Sequence, residues 1–453
     1  MNMTSQPGEG QSGDSLLQGR DDEFVPLSTY QGLTSKELAN LVGSKRIIIW
    51  GGGHLGRVIH RVLMKGGFTN CIFCDRNSSL HDTQMSGVHV ISPEAALEEA
   101  KDQRAILIIA SARFQQEIRS QCLENGLEAR KDFLLYVHIS RPEAVIELSG
   151  DRWNVPSERQ ADPQRNRVIS LDTYKKVLNK LIKDIPQLSH IDLAAWGEPF
   201  LNPELAEIVI YTERNVPCTV TTNLLRPEQL KNVLAAKPSQ FVVSASGYGD
   251  SYDKNQRDGD WKTFGRNLQF LADLIKENGP TDTEFRLLYN LHRNNQGRDL
   301  EDMKTLCRNL NIKMVESEAY LDPYDHVLDF CQEKNLPTEA VNVKDNLAWN
   351  FPLALSLSTQ DKNRPCLCQR MFPIVDWDLS VRICHLYTRP EIAPDFLKLN
   401  MEGLVALRHS NAHCRKCQAY GLHRLDIEVL RRRYPSEKLQ ISENQHDEER
   451  PDA

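Results

Sequence analysis

Five cysteines in the last quarter of the chain are the residues best suited to chemistry. Cys366-Leu-Cys368 is followed by Phe372-Pro-Ile-Val-Asp-Trp-Asp-Leu-Ser-Val-Arg-Ile-Cys384, and Cys414-Arg-Lys-Cys417 and His423 come later. Val375, Trp377, Leu379, Val381 and Ile383 alternate as a β-hairpin does, although the adjacent pair Ile374-Val375 blurs the start. Cys384 ends that hairpin and the C-x-x-C completes the set. Four thiolates from a hairpin and a knuckle can enclose zinc or a [4Fe–4S] cluster. Four unrelated core cysteines are the plainer alternative. A second constellation is the turn Trp196-Gly197-Glu198-Pro199. Gly197 lets backbone approach a ligand closely, and Glu198 offers an acceptor to a cation such as an ammonium group. A third is Gly51-Gly-Gly-His-Leu-Gly56, with Asp75 some twenty residues on. That is G-x-G-x-x-G, which lets backbone N–H groups and a helix N-terminus face a phosphate. A nucleotide-free domain whose glycines only allow a tight turn fits equally well.

These residues need particular elements to position them. The glycine run sits between a buried-type strand at 46–50 and an amphipathic helix at 57–65, and a second strand at 70–74 ends at Asp75, the spacing expected for a ribose-binding acid. Further α/β units follow to about residue 126. Cys71-Ile-Phe-Cys74 lies along that second strand, where residues three apart point to opposite faces, so both cysteines read as structural. From about 140 to 320 strand and helix alternate about six times, which predicts a parallel sheet curved into a partial or full barrel with ligands at the C-terminal strand ends. The turn at 196–199 follows the strand at 191–195, and Asn202 is placed to cap a helix opened by Pro203. Residues 318–365 read as a mixed connector.

The 453 residues allow two or three domains. Hydrophobic content of 40% and charged content of 26% are those of an ordinary soluble protein. A net charge of −7 argues against a general nucleic-acid binder. No apolar run approaches a membrane span, and the first residues lack a signal peptide's apolar core, so a cytoplasmic protein is expected. Eleven cysteines in a reducing compartment point to metal sites or core packing before disulfides. Residues 1–24 and 436–453 are expected to be disordered.

In order and spacing, the region 140–320 resembles the partial barrel of radical S-adenosylmethionine (SAM) enzymes. "ISLDTYKKVLNKL" resembles the family's first helix and "WGEPFLNPELAEIVIYTE" its SAM-holding GGEP turn and second helix, with Trp196 in place of the first glycine. "VTTNLL" resembles the third strand, and "VVSASGYGDSYDKNQRDGDWKTFGRNLQFL" the segment "VSLDG…Y…R…FE…NL". The resemblance implies that Gly197 and Glu198 hold the SAM amino group and that Ser244 lies near the ribose, with Asn223 a further candidate. Taken alone, Ser244 and Asn223 read as turn residues. The C-terminal cysteines resemble the SPASM or twitch extension of the same enzymes, "C…P…DWDG.V..C", a helix, then "C..C". That resemblance makes Cys368, Cys384, Cys414 and Cys417 ligands of an auxiliary [4Fe–4S] cluster, with Cys366 a spare first ligand, and puts Leu379 where the family has a turn glycine. Residues 25–138 resemble the small Rossmann-like domains of sugar-modifying acyltransferases, which implies a nucleotide or nucleotide-sugar at Gly51, Gly53, Gly56 and Asp75.

The expected architecture is therefore α/β: a Rossmann-like domain at 25–138, a radical SAM-like partial (β/α)6 TIM-type barrel at 139–320, and a connector with a Cys-rich extension at 321–435. The resemblance implies 5′-deoxyadenosyl radical chemistry on a peptide or sugar-related small molecule, fed by a reducing electron donor, if a SAM-binding cluster forms. One departure stands against that chemistry. The family's first barrel strand is followed by C-x-x-x-C-x-x-C, whereas the loop here, Ser149-Gly-Asp-Arg-Trp-Asn-Val-Pro-Ser-Glu-Arg159, has no cysteine, and none occurs between Cys122 and Cys218. Oxygen and nitrogen side chains replace thiolates poorly at iron–sulfur clusters. A catalytically degenerate homologue that binds SAM, nucleotide or a partner protein stays open. So does a nucleotide-sugar enzyme or regulator with a structural zinc site.

Overall fold

Two mainly parallel sheets carry the chain. The structure is a computed structural model that describes residues 33, 35–111, 114–139, 143–150, 167–185, 188–256, 259–279, 281–363, 366, 373–387 and 390–440. The first sheet contains β1 (Arg46–Trp50), β2 (Cys71–Cys74), β3 (Gln84–Met85), β4 (Val88–Ile91), β5 (Ala105–Ile109) and β6 (Phe133–Leu135), in the order β3-β4-β2-β1-β5-β6. Only the β3–β4 pair is antiparallel. Both faces of a parallel sheet are covered, so its strands are apolar throughout. Ile47, Ile49 and Phe73 pack on one face with Ile59 and Leu63 of the helix His54–Lys65. Ile48, Trp50 and Leu107 pack on the other with Ala96, Ala100 and Ile118. Cys71 joins the first core and Cys74 the second, so the two thiols face opposite ways, as strand periodicity requires.

In the second sheet, β7 (Glu143–Ile146), β8 (His190–Asp192), β9 (Cys218–Thr222), β10 (Gln240–Ala245), β11 (Glu284–Leu291) and β12 (Lys313–Glu318) lie side by side in chain order, every neighbouring pair parallel. Helices join them. The first, Leu171–Asp184, starts where Ser170 accepts a hydrogen bond from the Thr173 amide. A hairpin then extends the sheet beyond β7. β13 (Ile374–Val375) pairs parallel with β7, and β14 (Val381–Arg382) and β15 (Glu391–Ala393) follow antiparallel. The sheet ends at β12 on one side and β15 on the other.

Four local expectations need correction. The strand before the Gly-Glu-Pro turn is shorter, ending at Asp192. Asn202 does not cap the next helix. It closes a 3-10 turn at Pro199–Leu201, its side chain bridges Ile169 O and Glu204 N, and the helix begins at Leu205. The connector is largely helical, with Tyr324–Cys331, Thr338–Asp345 and Phe351–Gln360 burying Tyr324, Ala340 and Phe351 in a core shared with Trp349, Tyr387 and Leu422. The tail starts later than 436, because Leu439 is buried in that core and accepts from the Asn350 amide. No helix among the described residues is long and apolar enough to cross a membrane.

A Cβ on Gly56 would meet Gly51 O at 1.8 Å, so helix and strand approach through bare backbone here. Gly56→Ala is expected to cost at least ~2 kcal/mol, since overpacking against rigid backbone has no cheap relief. A thermal melt of the variant checks it.

Candidate metal centre and ligand sites

The C-terminal thiols come together. Cys366, Cys384, Cys414 and Cys417 line one pocket with Tyr387 and Arg408. Cys384 follows β14, and Cys414 and Cys417 lie on the helix Ala412–Ala419. Residues three apart on a helix share a face, so this C-x-x-C converges where Cys71 and Cys74 diverge. Cys368, the first ligand expected by resemblance, lies outside the described residues, and Cys366 lines the pocket. Burial pushes the Cys384 thiol up to about 12 and the Cys414 thiol up to about 11, and the sulfur of Cys366 adds to both shifts. Burial also raises Cys417. Among the described residues, no three His, Cys, Asp or Glu side chains stand in metal-binding geometry as they are. The donor set nevertheless suits a metal centre: four sulfurs in a largely apolar shell, with the imidazoles of His413 and His423 and the Arg408 guanidinium on the same wall. The thiols must lose protons to bind it.

The hairpin that delivers Cys384 is fastened by three buried charges, none of which the sequence reading singled out. Arg382 donates through Nε to Asp376 Oδ2 at 2.7 Å and through Nη2 to Asp376 Oδ1. Its Nη1 lies 3.9 Å from Glu147 Oε1, just beyond β7. The Glu147 carboxylate in turn accepts from the amides of Ala195 (3.1 Å), Trp196 (2.8 Å) and Gly197 (3.0 Å). All three side chains are at most 3% exposed. Burial pushes the Glu147 carboxyl above its usual range, against the pull of Arg382. One signal was present: a glutamate inside the apolar run Ala144-Val-Ile-Glu-Leu148 must find partners. The hairpin itself is tighter than the alternation suggests, for Trp377 to Leu379 form the turn. Leu379 adopts φ +75°, the left-handed region a glycine would take without cost.

Gly197, Glu198 and Asn223 meet at the C-terminal ends of β8 and β9. Glu198 is buried, and its carboxylate accepts from Phe200 N (3.1 Å), Thr222 Oγ1 (2.9 Å) and Asn223 N (3.1 Å). The carboxylate expected to receive an ammonium thus already receives three internal donors, with burial raising it to about 7 despite them. Ser244 stands apart, on the wall of a cavity of about 430 Å³ lined also by Asp192, Thr221, Arg286 and Asn290. Its hydroxyl accepts from the Asn290 amide at 3.2 Å.

In the first domain the glycines divide their work. Gly51, at φ +122°, sits where a Cβ would strike Ala110 O at 2.7 Å, and Gly56 allows the helix contact described above. A Cβ on Gly53 would meet nothing within 4 Å. Gly53 also begins the helix His54–Lys65 without a side-chain cap, so the helix N-terminus keeps amides to offer. Asp75 is turned inward. Its Oδ2 accepts from Gly52 N (2.8 Å) and its Oδ1 from Asn77 N (2.9 Å), so it shapes the loop.

No protein-family model and no curated protein matches the sequence. Solved structures do. SuiB of Streptococcus suis, bound to its precursor peptide SuiA, is 12% identical, with 69% of this chain and 83% of that one covered and a TM-score of 0.39. BtrN in complex with AdoMet and 2-DOIA is 13% identical, with 67% and 92% covered and a TM-score of 0.32. Coproporphyrinogen III oxidase (HemN) from Escherichia coli, a radical SAM enzyme, is 12% identical, with 49% and 59% covered and a TM-score of 0.27. The chain is similar to radical SAM enzymes.

Two outcomes test the buried charges. Arg382→Met leaves Glu147 and Asp376 without their cation and is expected to cost about 3–5 kcal/mol in denaturant unfolding. Glu198 is raised in the folded state, so its contribution is full below the unfolded carboxylate pKa and is lost as pH rises through about 7. Glu198→Gln should therefore remove part of the stability loss between pH 5 and pH 8, measured as the difference in denaturation midpoint from the parent chain.

Proposed function

We propose that this chain is a radical SAM/SPASM-type iron–sulfur protein that keeps the auxiliary centre and has lost the SAM-reducing one. Its parts would be a Rossmann-like domain at 25–138, a partial (β/α)6 barrel at 139–320, and a connector with a twitch-type extension at 321–435. The convergence of Cys366, Cys384, Cys414 and Cys417 on one pocket carries the reading. Cys368 remains a rival to Cys366 as first ligand. When bound, a [4Fe–4S] centre supplies one-electron transfer. The chain's own residues would enclose it: Tyr387 and Arg408 close the pocket, and the buried thiols would release their protons to solvent and hold it as thiolates.

The residues do not fit a second cluster. The loop after β7 has no cysteine, and β7 leads into Glu147, which holds the neighbouring turn. No radical step is therefore assigned to this chain. Its barrel is read as a binding chamber for an adenosyl compound near Gly197 and Asn223, or for a peptide or sugar-related small molecule in the cavity beside Ser244. This makes the chain a degenerate relative with a redox-active or structural cluster, partnered by an electron donor if the cluster cycles. The first domain is read as taking a nucleotide or nucleotide-sugar phosphate at Gly53, which the open space around that residue supports.

After anaerobic reconstitution, about four irons per chain are expected, lost in Cys414→Ser/Cys417→Ser, with no 5′-deoxyadenosine formed from SAM. Zinc alone would contradict the iron assignment, and roughly eight irons or 5′-deoxyadenosine would contradict the loss of the reducing centre. For the first domain, Gly53→Val should melt like the parent but lose binding of UDP or ADP in calorimetry.

A further inference from the structure

Tyr387 stands on the wall of the sulfur pocket and is 2% exposed. Its hydroxyl faces the Cys417 thiol, yet among the described residues no atom completes a hydrogen bond to it. A buried tyrosine hydroxyl ordinarily has a partner. Two rings fix its aim. The His413 ring meets the Tyr387 ring edge-on with centroids 4.3 Å apart, and the Tyr324 ring meets it in the same way at 6.2 Å. The Tyr324 hydroxyl is spent elsewhere, donating to Leu425 O at 2.8 Å. The segment that carries Tyr387 is held as well, since Tyr324 N donates to Leu386 O at 2.8 Å. On the same wall, His413 Nε2 is also buried without a partner among the described residues. Two unpaired polar atoms beside four sulfurs call for an acceptor that arrives with the metal.

We infer that Tyr387 is a positioning residue for the metal centre: its hydroxyl donates to the Cys417 sulfur once that sulfur is a thiolate, and so raises the reduction potential of the bound cluster. The inference rests on the iron–sulfur reading of the pocket. A thiol sulfur is a weak acceptor, and an ionised acceptor is a strong one. Metal binding removes the Cys417 proton, so the hydroxyl gains its partner only in the loaded protein. The contact with Tyr387 already favours the ionised form of Cys417, against the rise that burial causes. Hydrogen bonds to the sulfurs are among the levers that set a cluster's potential. An added electron puts more negative charge on those sulfurs, so the reduced form gains more from a donor than the oxidised form does. Arg408, His413 and His423 share the wall, and their charge acts alike whether or not the hydroxyl is present.

Anaerobic redox titration of the reconstituted full chain with dithionite, followed by electron paramagnetic resonance, tests the inference in the parent, Tyr387→Phe and Tyr324→Phe. Dithionite is oxidised and the cluster takes up one electron, with no bond made or broken. Tyr387→Phe keeps the ring and removes only the hydroxyl. It is expected to hold as much iron as the parent and to disfavour the reduced form roughly tenfold, a midpoint potential about 59 mV lower. Tyr324→Phe removes the neighbouring buried hydroxyl, which is spent on Leu425 O, and is expected to leave the potential where it was. An unchanged potential in Tyr387→Phe, an equal drop in both variants, or loss of iron from Tyr387→Phe overturns the inference. Metal content is read first. A parent chain without iron fails the iron–sulfur reading and this inference with it, whereas iron in all three chains at one shared potential fails this inference alone.

Discussion

One buried guanidinium joins the two halves of the site. Arg382 sits between Asp376, on its own hairpin, and Glu147, at the end of the strand beside it. Charges taken out of water are tolerated only when paired and hydrogen-bonded. Here the pairing is geometrically specific. Asp376 is held bidentately, and Glu147 spends its oxygens on three successive amides of the turn at 195–197. The turn, the first strand of the second sheet and the hairpin are therefore fixed by one network. Cys384 follows Arg382 by two residues, so the network also sets where the first sulfur after the hairpin enters its pocket.

That arrangement has a chemical consequence at the strand ends. In this chain the amides of the Gly-Glu-Pro turn are turned toward a protein carboxylate, and the Glu198 carboxylate toward Phe200, Thr222 and Asn223. Those three amides and the Glu198 carboxylate are thus already paired within the chain. The sulfur pocket is different. Its walls are largely apolar, with Arg408, His413 and His423 among them, and burial favours the protonated form of its thiols, which a metal would have to displace.

How much of this the sequence disclosed depends on the range of the interactions involved. Strand β1 and the helix after it were legible because a run such as Arg46-Ile-Ile-Ile-Trp50 has no other way to hide its surface, and the glycines between them mark a close backbone contact that Gly56 bears out. The opposite facing of Cys71 and Cys74 followed from strand period alone. The Glu147–Arg382–Asp376 network was only half legible: Glu147 inside an apolar run calls for partners, but the pair Asp376 and Arg382 that answers it lies more than 200 residues further on. Asp75 shows the same limit. Its spacing from the glycine run gave no sign that it accepts from Gly52 N. Leu379 was readable only as an oddity at a turn, and its positive φ shows that the fold imposes a glycine's backbone on a leucine.

The account stands or falls on sulfur at the C-terminal pocket. Iron-edge X-ray absorption of the anaerobically reconstituted full chain examines that bond directly. A first shell of sulfur with an iron–iron shell behind it is the predicted spectrum, reduced to background when Cys384 and Cys417 are both replaced by serine. A first shell of oxygen and nitrogen without iron–iron scattering, or a spectrum indifferent to those replacements, would contradict it.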